Sequence, residues 1–489
     1  MMFKGRTVLA FVLLALFAGS IVTLTVVGPL DDRFVASLGP AVTVSGEAKP
    51  EKDAGGLSEE EAKKLAAVYK LLEQRYVEEV DRERLTEGAL DGLVQALEDP
   101  YSEYLNKEEV ESFSEHINST FTGIGAEVVL QDGHVVVVTP IKNSPAERAG
   151  LMAGDKILSV NGESLQGLEL TQAVEKIRGP KGTQAKLEIQ RKDSANVIDI
   201  IVVRDDISLE TVESTMRPDG IGVIGIRQFA VNTSEHFTEE LKKLEDQQMK
   251  GLIIDVRNNP GGVVQAVQSI AETFVPSGGT IMHLEYRDGK REKTTSKGKG
   301  KTYPIVVLIN EGSASASEIL AAAIQESAGG KLVGQTTFGK GLVQSTVKLS
   351  DGSGVKLTIA KWLTPDGDTI HEKGVSPDIV VEQTKLFEAV TIPDDKELAF
   401  DMTGDEIKNV QLILEGLGFQ PGRTDGYFNQ ATKQAVVAFQ KEHGLPQTGV
   451  VNAATASKLE EKALERLLDP ENDAQLHAAV EQIQKMLSH

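Results

Sequence analysis

The sequence predicts a multidomain chain. It has an α/β core, an inserted, partly open small β-barrel with two helices, an N-terminal helical segment, a small all-α C-terminal module and an N-terminal transmembrane helix. Three observations carry this. The chain has 489 residues, beyond the ~250–300 at which single cores stop growing. From 205 to 395, apolar β-branched runs alternate with amphipathic stretches, the pattern of strands buried on both faces. Residues 7–28, "TVLAFVLLALFAGSIVTLTVVG", carry no charge and exceed the ~20 helical residues that span a bilayer core.

Composition narrows the partners. With 51 basic against 73 acidic side chains and a net charge of −22, a nucleic-acid partner, which needs a basic face, is not expected. The chain has no cysteine, which removes disulfides, thiolate metal sites and a cysteine nucleophile together.

Lys4 and Arg6, in the tip formed by residues 1–6, precede the apolar run, and Asp31 and Asp32 follow it. The positive-inside rule places the tip in the cytoplasm and the body outside. The run outlasts the apolar part of a cleavable signal, and no small-x-small site follows it. A signal anchor is therefore expected over a removed signal peptide.

Residues 29–57, with "VSGEAKPEKDAGG", read as a tether. Residues 58–110 show helical spacing, with Ser58 and Glu61 placed as a capping box and an end near Asp99-Pro100. These helices serve either a core or a face between two copies of the chain, a homodimer; the sequence leaves both open.

Between 111 and 204 short runs such as "GAEVVL", "HVVVVTPI", "DKILSVNG" and "AKLEIQR" are separated by turn residues, as strands are. Two helical pieces, "SPAERAGL" and "LTQAVEKIRG", interrupt them. Taken alone, the glycines of the loop "TGIGAEV" read as a structural turn. The basic run from Arg287 to Lys301 reads as a solvated hairpin tip. After Pro393, residues 402–465 form a separate helical unit, and 466–489 a further charged helix.

The chemistry concentrates at "NEGSASASEIL", where an apolar strand meets a helix starting near Ser317. Unsatisfied N–H groups and the helix dipole stabilise negative charge there, so a serine would have an oxyanion environment. Serines are also the commonest caps, and the turn alone does not choose. A nucleophilic hydroxyl needs a base. His371, in the polar loop "TPDGDTIHEKG", has no evident acidic partner. Lys340 in "TTFGKGLVQ" is set between glycines beside Phe338 and Leu342; apolar surroundings lower a lysine's pKa and free its amine. The plain alternative is a turn whose lysine faces water.

Taken in order, "DVRNNPGG", "NEGSASASEIL", "VGQTTFGKGLVQ" and "TPDG" resemble the carboxyl-terminal processing proteases, a serine peptidase family with a Ser-Lys dyad. The resemblance covers 58–395, with 111–204 similar to a PDZ domain and 205–395 to the protease core. It implies Ser315 as nucleophile, Lys340 as base and Gln344 as the residue orienting the lysine, with Ser313 and Ser317 in turn and cap roles. The N–H groups of Ala316 and of Gly261 or Gly262 would hold the oxyanion. Gly123, Ile124 and Gly125 would receive a substrate C-terminus, and Arg178 would couple its capture to the dyad. Residues 402–465 resemble a peptidoglycan-binding module of bacterial cell-wall enzymes, departing at Asn429, where glycine is commoner.

The expected function is thus a membrane-anchored, extracytoplasmic serine endopeptidase of a bacterial envelope. It would act on proteins with free C-termini, bind peptidoglycan and need no metal or organic cofactor. A wall-tethered PDZ adaptor without activity is the alternative. A peptidoglycan hydrolase ranks last, because no metal-ligand cluster or paired-carboxylate pattern supports it.

Overall fold

The computed structural model describes residues 56–131, 133–191, 196–393 and 396–488. The expected membrane helix at 7–28 and most of the tether lie outside the described residues.

Helix α1 (Glu59–Arg75) starts at Ser58, whose hydroxyl accepts the Glu61 N–H while Glu61 accepts the Ser58 N–H. This is the expected capping box. Helix α2 (Arg82–Gln95) is capped by Asp81. Neither helix buries a residue, and Leu65, Val68 and Leu71 of α1 are exposed. Strand β1 (Glu103–Leu105) follows. The sequence reading has only helices here, since three residues are too short to signal a strand without their partner.

The chain divides into two compact units. One comprises Glu109–Thr211 with Ala230–Asn232; the other comprises the described parts of Met1–Glu108, Val212–Phe229 and Thr233–His489.

Helix α3 (Lys107–Asn118) leads into the first of these. There β2 (Thr120–Gly123), β3 (Ala126–Gln131), β4 (His134–Pro140), α4 (Pro145–Arg148), β5 (Lys156–Val160), β6 (Glu163–Ser164), α5 (Leu170–Ile177), β7 (Gln184–Gln190), β8 (Val197–Val203) and β9 (Asp205–Ser208) follow in order. The main sheet runs β3-β4-β5-β7-β8, with β2 paired separately to β9. Strand β7 alternates, burying Ala185, Leu187 and Ile189, so one face packs on α4 and α5 through Ala146, Ala173 and Ile177. Strand β3 is an open edge.

The other unit holds β10 (Val212–Met216), β11 (Ile221–Ile226), α6 (Thr233–Asp246), β12 (Gly251–Asp255), α7 (Val264–Phe274), β13 (Thr280–Tyr286), β14 (Arg291–Thr295), β15 (Ile305–Ile309), α8 (Ala316–Ala322), β16 (Lys331–Gly334), β17 (Leu342–Lys348), β18 (Gly354–Leu363) and β19 (Ile379–Val380). A six-stranded sheet runs β10-β11-β12-β15-β16-β19, parallel from β11 onward. Its middle strand β15 is buried throughout, as a strand covered on both faces must be. A second, antiparallel sheet gathers β1, β13, β14 and β17 with β18. The basic run lies in the β13–β14 hairpin only as far as Thr295, with Arg291 pairing with Glu285 and Lys290 with Glu292; beyond it Lys301 pairs with Glu245.

Helices α9 (Asp405–Gly416), α10 (Gln430–Glu442) and α11 (Ala453–Leu468) share a core of Ile407, Val410, Phe428, Val436, Phe439 and Leu459. Asn429, where the sequence departs from the module's pattern, caps α10 by accepting the Thr432 N–H at 2.8 Å. Helix α12 (Ala474–Leu487) then returns to the six-stranded sheet. Its Ala479, Val480 and Ile483 pack on Ile221, Ile253, Val306, Leu308 and Val333.

Candidate active site

Parallel strands deliver their C-terminal ends to one edge, and ligand sites gather there. β12 ends in the turn "NNPGG" and β15 in the serine turn. The two turns are stitched together. Ser313 donates to the Val256 carbonyl at 2.8 Å and Ser317 to the Asn259 carbonyl at 2.7 Å, while the Ala314 N–H also reaches Asn259 at 3.0 Å. The outer serines of the alternating run are therefore fasteners. Ser315, between them, is fully buried, and its Oγ has no hydrogen-bond partner.

Ser315 occupies the residue before α8 with φ 55° and ψ −111°, a region that side chains rarely adopt. Strain of this kind, costing on the order of 1–3 kcal/mol, is held where surrounding contacts over-determine it. Here one such contact is Gly261, with φ 108°: a Cβ there would lie 2.9 Å from both the Ser315 Cβ and the Ala316 N. At Gly262 a Cβ would fall 2.0 Å from the Phe229 carbonyl oxygen. Only glycine lets this turn approach so closely.

The N–H groups expected around an oxyanion differ in availability. The Gly261 N–H donates to Asn259 Oδ1 at 2.9 Å. Among the described residues no acceptor takes the N–H of Gly262 or Ala316. Of the two glycines the sequence nominates, Gly262 thus has the open donor.

Lys340 is only 4 % exposed, so the turn does not hold it in water. Its Nζ lies 4.7 Å from the centre of the Tyr101 ring. Burial, and then the positive charge of Lys356, push its pKa down to about 8; Asp99, Glu318 and Glu103 pull the other way. Gln344, 1 % exposed on β17, donates through Nε2 to Thr358 Oγ1 at 3.2 Å. Its Oε1 is buried without a partner. His371 lies against this loop, its backbone N 2.7 Å from where a Gly341 Cβ would stand. Neither its Nδ1 nor the Ser315 Oγ has a hydrogen-bond partner, so no Ser–His bond exists here.

One residue that the sequence reading missed organises the site. Glu318, on the first turn of α8, is fully buried. Its Oε2 accepts the N–H of Ser315 and of Lys340; its Oε1 accepts the Thr337 hydroxyl and the Gly339 N–H. Burial pushes its carboxyl upward, against the pull of those donors. The only signal in the sequence is an acidic residue inside an otherwise apolar helix start.

Gly123, Ile124, Gly125 and Arg178 belong to the other unit. The Ile124 carbonyl accepts from Ala146, and that of Gly125 from Ile141 and Ser144. The N–H groups of Ile124 and Gly125 have no acceptor among the described residues. The Gly123–Gly125 loop leads directly into the open-edged β3. Arg178, which closes α5, pairs with Glu115 at 2.7 Å and stacks on Phe121 at 5.2 Å.

Comparison with known proteins finds four family models along the chain. The model of peptidase family S41 matches residues 220–381, and a PDZ domain model matches 136–191. The "Activating protease CtpB N-terminal domain" matches 38–109, and a peptidoglycan binding domain matches 403–459. The chain is 43% identical over 425 residues to the carboxy-terminal processing protease CtpB of Bacillus subtilis (strain 168), covering 86% of this chain and 88% of that protein. It is 40% identical over 423 residues to CtpA of the same organism, covering 86% and 90%.

Proposed function

This chain belongs to peptidase family S41, as a carboxy-terminal processing serine protease with a PDZ domain and a peptidoglycan-binding domain, and on that premise we propose that it cleaves extracytoplasmic proteins with a Ser315–Lys340 dyad. The observation that carries the reading is that Glu318 binds the backbone of both a strained, buried serine with an unpartnered hydroxyl and a buried lysine whose pKa burial pushes down to about 8.

Neutral Lys340 takes the proton of Ser315 as Oγ attacks the substrate carbonyl. Gln344 orients the amine. The tetrahedral oxyanion is held by the N–H groups of Ala316 and Gly262, each such donor being worth about 10²–10³ in turnover. The Lys340 ammonium then protonates the leaving amine, and an acyl-enzyme on Ser315 remains. Water, deprotonated by the same amine, releases the product acid and restores the serine.

Substrate C-termini add along β3, with the carboxylate on the N–H groups of the Gly123–Gly125 loop. Arg178 couples that capture to the dyad. The apolar run at 7–28 anchors the chain in the cell membrane with the catalytic part on the wall side. The helical module binds peptidoglycan, and the exposed leucines of α1 meet a second copy of the chain. The role assigned is protein processing or regulatory proteolysis.

The test is degradation of an unstructured protein with an apolar C-terminus by wild type, Ser315→Ala and Lys340→Ala. Cleavage by wild type alone supports the dyad. Equal cleavage by both variants sinks it, and no cleavage by any enzyme favours an adaptor. Arg178→Ala with unchanged activity and unchanged C-terminus dependence would end the coupling role.

A further inference from the structure

Next to the lysine and glutamine lies a piece of chain far away in sequence. β1 pairs with β18 in antiparallel register, Glu103 opposite Lys356 and Leu105 opposite Gly354. This brings "DPYSEYL" (residues 99–105) alongside the strand that carries Thr358. Four contacts follow. Asp99 accepts the Ser102 hydroxyl at 2.6 Å, and Ser102 Oγ accepts the Thr358 N–H at 3.0 Å. The Thr358 hydroxyl bonds the Asp99 carboxyl, and Gln344 Nε2 donates to Thr358 Oγ1 at 3.2 Å.

Proton counting gives this chain a direction. Asp99 feels the opposing pull of burial, yet its hydrogen bonds from Ser102 and Thr358 hold it below the usual carboxylate range. It is an acceptor only. Thr358 has one proton, which goes to Asp99, so toward Gln344 it can only accept. The Gln344 amide must therefore turn its NH₂ to Thr358, and Oε1 is the end left over. That oxygen is buried and unpartnered, an expensive state for a carbonyl unless a donor arrives during the reaction. On the other side of the same segment, the Tyr101 ring stands 4.7 Å from Lys340 Nζ.

We propose that Asp99–Glu103 is a positioning element of the dyad: through Thr358 it fixes the Gln344 amide with its carbonyl oxygen as acceptor for the lysine, and through Tyr101 it holds the Lys340 ammonium. The inference rests on Lys340 being the base. It makes a segment outside the 205–395 core a working part of the catalytic site. The charged groups acting on Lys340 are Lys356, Asp99, Glu318 and Glu103, and those acting on Tyr101 are Asp99, Glu318 and Glu372.

The full chain is assayed on a fluorogenic peptide with an apolar C-terminus as pH is varied. An aromatic face favours the ammonium form. Tyr101→Leu should therefore move the acid limb of kcat/KM down by about one pH unit, while Tyr101→Phe, which keeps the ring, should leave it in place. Thr358→Val should lower kcat about tenfold with KM unchanged, the cost of a freed amide, and Thr358→Ser should restore it. The position of the limb does not depend on how much enzyme is folded, so instability cannot imitate the Tyr101 result, and kcat of Thr358→Val is taken per folded enzyme, measured by circular dichroism on the same sample. An unmoved limb in Tyr101→Leu, or an equal shift in Tyr101→Phe, overturns the Tyr101 role. Wild-type kcat in Thr358→Val overturns the relay. Lys340→Ala is run beside them. If it is inactive while the other variants behave as wild type, the positioning role alone fails; if it is active, the dyad reading fails with it.

Discussion

Ser315 and Lys340 share one oxygen atom: Glu318 Oε2 accepts the N–H of Ser315 at 2.7 Å and that of Lys340 at 2.9 Å. The two loops follow the C-terminal ends of the neighbouring parallel strands β15 and β16, and this carboxylate, buried with four donors on it, pins them to one another. A protonated carboxyl could not serve four donors, so the ionised form is the one the site holds.

Glu318→Gln keeps the shape but turns an NH₂ toward two of those donors. Each buried N–H or O–H left without an acceptor costs about 1–3 kcal/mol. The variant should lose about 2–4 kcal/mol of stability and about tenfold to a hundredfold in kcat, because misplacement of reacting groups is costly. Chemical denaturation and steady-state kinetics measure both; wild-type kcat would contradict the pinning role.

The rate should rise with pH through about 8, where Lys340 loses its proton. Lys356→Met removes a neighbouring positive charge and leaves Glu103 without that partner. Both changes favour the ammonium, so the acid limb of kcat/KM should move to higher pH. The folded-state value lies below the ordinary 10.5, so the unfolded chain binds more protons between about 8 and 10.5. This group's contribution to stability therefore increases with pH across that window, and Lys340→Met should flatten the trend in melts taken from pH 8 to 10.

The two glycines should behave differently on substitution. Gly262→Ala drives a Cβ to 2.0 Å from a backbone oxygen, where nothing can yield, and should not give folded enzyme. Gly261→Ala meets the serine turn at 2.8–2.9 Å with φ 108°. It should fold, melt lower, and lose about a hundredfold in kcat as Ser315 is displaced, with KM little changed. Circular dichroism beside kinetics separates the two outcomes.

Removing residues 466–489 should unfold the catalytic unit, although no catalytic residue is lost. Helix α12 covers Ile221, Ile253, Val306, Leu308 and Val333. Exposing such side chains costs about 1.5–3 kcal/mol each, a total comparable to the 5–15 kcal/mol that holds a domain together. Asp473, ahead of α12, is removed as well, so Arg257, which is bonded to Asp255 beside the glycine turn, loses that partner. Burial alone would raise the Asp473 carboxyl, but Arg257 holds it below the usual range. That stability is present above the ordinary carboxyl value of 3.8 and is lost as pH falls below it. Soluble expression and proteolysis of the shortened chain decide the point.

Much of this was legible from residues alone. Turn residues on either side marked β7, continuous apolar runs marked β12 and β15, and ordered motifs that resemble a protease family singled out Ser315 and Lys340. The remainder depended on what folding brings together. Nothing in "YSEYL" announces a strand until β18 lies beside it. Glu318 looks like an ordinary helix-start acid until four donors converge on it. The charged stretch after 466 hid an apolar stripe of Ala479, Val480 and Ile483 among its charged and polar residues, so its attachment to the sheet was invisible. Gly261 and Gly262 looked equivalent, and a single bond to Asn259 separates them.

The return of α12 to the sheet also sets an order of events. The helix follows α9, α10 and α11 in the chain, so the ribosome completes the whole three-helix module before it supplies the cover for the catalytic sheet. A nascent chain that stalls within the module presents Ile253, Val306 and Leu308 uncovered and has no finished protease to release. Proteolytic capacity is thereby linked to synthesis of the module, and a prematurely terminated product arises as an unfolded chain rather than as an active enzyme lacking its three-helix module.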